Sequence, residues 1–164
     1  MIVMQRLKLL FSFIVMLTLT TAVSATEPPS HLAMVQTALD KHIIPHIEAL
    51  KTAAEALPPA VEAVCKTGSA EARHVLDEKF AAAVTAYAGV DFLRFGPMLE
   101  QGRREQISLW PDPRGFVGRQ LRMLLLSKDE KLAEPGALAK QSAAVQGLPA
   151  LELLMRDKEV PLGP

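Results

Sequence analysis

From Ser30 onward, apolar residues recur at Leu32, Val35, Leu39, Ile43, Ile47, Leu50, Ala54 and Leu57. Steps of three and four place them on one face of a helix, with Ser30 as its N-cap. Pro45 falls inside this pattern and cannot donate to the Lys41 carbonyl, so a kink is expected there. Pro58-Pro59 interrupts again, yet Val61 and Val64 continue the stripe, which predicts a restart with proline in the first turn. Thr67-Gly68-Ser69 reads as a turn with Ser69 capping a second helix, whose apolar side carries Leu76, Phe80, Ala83, Tyr87, Val90 and Arg94. Phe95-Gly96-Pro97 supplies a stop for it. Met98 to Trp110 reads as an irregular connection, and Asp112-Pro113 as N-cap and first residue of a third helix carrying Phe116, Val117, Leu121, Leu124 and Leu125. A fourth helix is expected from about Ala137 to Asp157. No segment alternates with period two. The pattern predicts an all-α chain, an up-and-down bundle of about four helices with a kinked first helix and a long loop around Trp110.

The first 25 residues have a different design. Arg6 and Lys8 precede an apolar run from Leu9 to Leu19, and Ala22-Val23-Ser24-Ala25 places small residues where a signal peptidase cuts. The run is short for a membrane span and ends in threonines. Residues 1–25 are therefore read as a signal peptide and 26–164 as one helical domain, exported to a periplasm or cell envelope, with no stable membrane span after cleavage.

Arg6 and Lys8 are the only charges in that leader, so the 18 basic residues fall to 16 against 18 acidic ones, a balance of −2. Nothing in that balance favours nucleic acid as a partner. The single cysteine, Cys65, excludes an intrachain disulfide, and its neighbours Val61 and Val64 suggest a buried, inert thiol. Nucleophile triads, phosphate loops and His-Glu-x-x-His are absent from the sequence.

Three blocks carry more specific information: Phe92-Leu93-Arg94-Phe95-Gly96-Pro97, then Ile107-Ser108-Leu109-Trp110-Pro111-Asp112, then Gln146-Gly147-Leu148-Pro149-Ala150-Leu151-Glu152. In this order and spacing they resemble the imelysin-like family of bacterial cell-envelope proteins, over roughly Ile44 to Leu154. The resemblance implies an all-helical exported protein built as two related halves, of which this chain corresponds to the first. It also implies either a metallopeptidase or a protein linked to iron uptake, with a divalent metal or iron as the cofactor. The third block aligns with the family's Gly-x-His-x-x-Glu metal motif, in which His and Glu share a helix face. Here Pro149 stands at the histidine position.

A lone carboxylate is a poor metal site, so Gly147-Leu148-Pro149 is expected to be a packing and restart element with Glu152 accepting hydrogen bonds. If a metal site persists with other ligands, His42 and His46, four apart on one helix, are its natural donors beside Glu152. That set would make the chain a metallopeptidase with altered ligands. Otherwise it is a non-catalytic module binding a ligand, metal or partner. Arg94, Trp110, Asp112 and Glu152 form the second candidate group. Arg94 on an apolar helix face needs a partner such as Asp112 or Glu152, with Trp110 as an apolar plug over the pair or as the wall of a ligand pocket. Leu148, Leu151, Leu153, Leu154 and Met155 make the last helix apolar on more than one side, so a homodimer or a second-half-like partner is expected to cover it.

Overall fold

The structure is a computed structural model and describes residues 30–156. Residues 1–29, where the expected signal peptide falls, and those after Arg156 lie outside the described residues. The chain divides into compact units at Gln36/Thr37. Of the first unit, the described part opens helix α1 (His31–Ala38), where the Ser30 hydroxyl accepts the Ala33 N–H at 3.2 Å.

The second unit is all-helical, with no strand among the described residues. Leu39–Ile43 form one π-helical turn, in which the Ile44 N–H reaches back to the Leu39 carbonyl, and helix α2 (Ile44–Glu55) follows with Pro45 in its first turn. The expected kink thus takes the form of a widened turn just ahead of the proline, which removes the clash of its ring with the Lys41 carbonyl. Helix α3 (Leu57–Thr67) restarts with prolines in its first turn and closes on Gly68, at φ 59°. Both α2 and α3 pack along helix α4 (Ala70–Ala88), so the restart continues the direction of the first segment. Ser69 caps α4 through the Ala72 N–H at 3.1 Å.

Two elements depart from the sequence expectation. Helix α4 ends at Ala88, seven residues short of the Phe95-Gly96-Pro97 stop, where Gly89 leads into a tightened turn from the Val90 N–H to the Tyr87 carbonyl. The fourth helix, expected from Ala137, dissolves into 3₁₀ turns at Leu138–Lys140 and Ala143–Val145 before α7 (Gly147–Arg156). Ser142 caps the second turn through the Ala144 N–H at 3.3 Å, and Gly147 takes φ 69°. Pro149 then occupies the first turn of α7, where no N–H is required.

Between them, Arg103–Ile107 form the short helix α5, and α6 spans Phe116–Ser127. Helix α6 starts four residues after its predicted cap, yet Asp112 still closes it: one carboxylate oxygen accepts the Phe116 N–H at 2.6 Å and the other the Val117 N–H at 2.9 Å. Two backbone donors on one side chain make this a cap worth about 1 kcal/mol or more. Asp112→Ala is expected to lower stability by that amount, measured by urea unfolding, with Asp112→Asn recovering part of it.

Three buried clusters hold the unit together. Ala60, Val64 and Leu76 join α3 to α4; Tyr87, Val90 and Leu93 gather Ile43, Leu50, Met98, Ile107 and Leu148; Val117, Ala144 and Ala150 gather Leu109. Helix α7 serves all three, through Met155, Leu148 and Ala150 in turn. Of the α7 face that the sequence suggested for a partner, Leu148 packs with Ile107 of α5 and Met155 against the α3–α4 cluster, and of its five large apolar residues only Leu153, at 41% relative exposure, is exposed. Cys65 is exposed, contrary to expectation, because it sits one residue and so about 100° around the helix from buried Val64.

Candidate functional site

Of the residues singled out in the sequence, Arg94, Trp110, Asp112 and Glu152 do not converge through any direct contact. Arg94 lies beyond the end of α4, with its side chain 67% exposed and 3.8 Å from Asp91. Its expected buried partner is not needed, because the helix face that would have buried it stops at Ala88. Asp112 is committed to the α6 cap. Trp110 is 74% exposed and plugs nothing, and it precedes a cis bond to Pro111. Glu152 pairs with Arg156 at 3.0 Å, one turn along its own helix.

The polar centre lies instead on residues the sequence reading had not joined. Arg104, in α5, donates from Nη2 to Asp91 Oδ1 at 3.0 Å, and the Tyr87 hydroxyl donates to the same oxygen at 3.1 Å. Arg104 is the well-covered arginine here, its side chain only 17% exposed. Tyr87 and Asp91, one helical turn apart, and the Arg103-Arg104 pair were the only traces of this cluster in the sequence; what joins them is the fold of the connection.

Burial acts to raise the Asp91 carboxyl, but the hydrogen bonds from Arg104 and Tyr87 and the charges of Arg104 and Arg94 outweigh it and hold the group below its usual value. Burial, then the bond to Asp91, pushes the Tyr87 hydroxyl up. A carboxylate lowered on folding stabilises the protein above its unfolded value, near pH 4, and that contribution disappears as pH falls through the folded value. Thermal stability is expected to fall below about pH 4, and Asp91→Asn is expected to show a smaller acid loss than the parent.

A second feature runs along α2 and α4. A groove of about 920 Å³ is lined by Pro45, His46, Ala49, Ala53, Ala86 and Gly89 among others, with Glu48 and Lys79 as its charged members. The ring centroids of His42 and His46 lie 4.3 Å apart with the planes tilted by 52°, and the His42 ring centroid lies 5.5 Å from that of Phe92. Gly89 admits the His46 ring: a Cβ there would approach His46 Cδ2 to 2.6 Å.

The implied metal can be tested against these donors. Pro149 offers none, the Glu152 carboxylate faces Arg156, and no group of three or more His, Cys, Asp or Glu side chains among the described residues could hold an ion. The Gly-x-x-x-x-Glu segment does not fit the metal that its family motif implies. Its glycine has a structural task, since the Gly147 backbone lies directly against the Gln106 and Ile107 carbonyls.

An all-helical module with a degenerate metal motif and an apolar groove is the class these features define. The family model described as Peptidase_M75: Imelysin matches residues 43–159, and the chain belongs to that family. In fold it resembles the crystal structure of an imelysin-like protein from Psychrobacter arcticum 273-4, with a TM-score of 0.67 and 23% identity. The match covers 74% of this chain and 38% of that one, so the chain corresponds to well under half of its relative's length. No curated protein matches the chain. Among the described residues, no helix is long and apolar enough to cross a membrane.

Proposed function

We propose that this chain is an exported, non-catalytic binding module of the imelysin family, acting at the cell envelope in the setting of iron uptake. The observation that carries the reading is the state of the motif: Pro149 replaces the metal-binding histidine, and Glu152 is engaged by Arg156 at 3.0 Å. A peptidase of this type needs a metal to polarise the scissile carbonyl and activate water. The motif segment supplies one carboxylate toward that set, which is too few.

Binding, by contrast, needs only a shaped surface. The α2–α4 groove is lined mainly by small side chains, and Ile44, Ile47 and Val84 stand exposed on the two helices that form it. Those features suit a protein partner, either a second-half-like module or a second copy of the chain. Export rests on the basic, apolar and small-residue succession of the first 25 residues, and the iron-uptake setting on the family alone.

The reading is tested by incubating the purified chain with insulin chains and Zn²⁺ or Fe²⁺. No cleavage above the metal-only control is expected. Metal-dependent cleavage that disappears in Glu152→Ala would overturn the proposal in favour of a metallopeptidase with altered ligands.

A further inference from the structure

We infer that His42 and His46 form a two-histidine site for a borderline d-block divalent cation, of the Cu²⁺ or Zn²⁺ class, beside the α2–α4 groove that His46 lines. The pair stands four residues apart where the π-helical turn passes into α2, with ring centroids 4.3 Å apart and ring planes inclined at 52°. His46 Nδ1 lies 2.7 Å from the His42 carbonyl oxygen. An oxygen acceptor at that distance requires the proton on Nδ1, so the lone pair of the neutral ring is left on Nε2. A backbone carbonyl that fixes the tautomer and aims the other nitrogen is the supporting contact that metal-binding histidines use.

The His46 ring is also held in place. It rests against Gly89, where only a missing side chain gives it room, and it is half-buried while His42 is exposed. One fixed and one adjustable imidazole, with the remaining positions open to water, make an open two-ligand site. Imidazole donors select copper, nickel and zinc over magnesium and calcium, and Cu²⁺ over Zn²⁺ by intrinsic affinity. The charged members of the groove lining, Glu48 and Lys79, carry opposite signs and leave no net local charge against a cation. Glu152 takes no part, so this site and the reading of the degenerate motif stand or fall separately.

Calorimetric titration of the full chain with Cu²⁺, and then with Zn²⁺, tests the assignment. One equivalent of Cu²⁺ is expected to bind, more tightly than Zn²⁺. His42→Gln and His46→Gln are each expected to weaken Cu²⁺ binding by about ten-fold or more, the scale on which losing a ligand or its support acts. His31→Gln is expected to leave it unchanged. Helicity measured by circular dichroism identifies any folding loss in His46→Gln, and exposed His42 provides the variant that does not depend on packing. Cu²⁺ binding that survives both substitutions, or no binding by the parent chain at about 1 mM Cu²⁺, would overturn the inference.

Discussion

Replacing Gly147 by alanine is expected to be the most damaging single-methyl change in the chain. Two independent penalties fall on the same position. Its φ of 69° is a left-handed conformation, which costs a residue with a Cβ about 1–2 kcal/mol. The added Cβ would also lie 2.6 Å from the Ile107 carbonyl carbon and inside contact distance of the Gln106 and Ile107 oxygens. Those are backbone atoms of α5 and cannot swing aside as a side chain would, so overpacking adds about 1–3 kcal/mol. A combined loss of about 3 kcal/mol is a large part of the stability of a domain this size. Urea unfolding followed by circular dichroism measures it. Gly136→Ala, at φ 77° but with open space around it, is expected to show the strain without the clash and so a clearly smaller loss. Equal losses at the two positions would show that the α5–α7 approach is not tight.

Leu76→Ala is expected to rank beside it, for a different reason. Leu76 is 2% exposed and joins Val64 and Ala60 of α3 to α4, with Met155 of α7 closing the cluster. Removing its branched end deletes buried apolar surface and leaves a cavity that helices on two sides cannot fill, at a cost of about 3 kcal/mol. Val84, on the same helix but 42% exposed, provides the contrast: Val84→Ala is expected to change stability by less than about 0.5 kcal/mol. Both variants are read in the same urea titration. A small loss at Leu76 would mean that the first cluster is not the junction of the bundle.

The helical architecture was legible because its determinants are local. Ser69 and Gly68 mark the α3–α4 turn through the hydroxyl and the left-handed backbone their residue types provide, and Pro45 marks the distorted turn before α2. The break at residues 137–146 was not legible, because a sequence pattern does not reveal that the chain resets at Ser142 and Gly147. The site was legible only in part. Placing Arg94 on a buried face followed from extending α4 to Phe95; once the helix ends at Ala88, that argument has no basis. Arg104 could not be chosen over Arg103 from sequence, since only the fold of α5 turns one guanidinium onto Asp91 and the other onto the Pro97 carbonyl. Pro149 was readable at once, because a missing donor side chain is a property of the residue itself.

The account rests on Glu152 being a helix-surface carboxylate paired with Arg156 and not a metal ligand. An exposed pair of this kind contributes little to stability, so Glu152→Ala is expected to fold normally and can be compared directly with the parent. The most direct measurement is a Zn²⁺ titration of the two proteins under identical conditions. The account predicts superimposable isotherms, whatever Zn²⁺ the histidines take up. A parent isotherm that weakens about ten-fold or more in Glu152→Ala would show that the carboxylate binds the ion, and would contradict it.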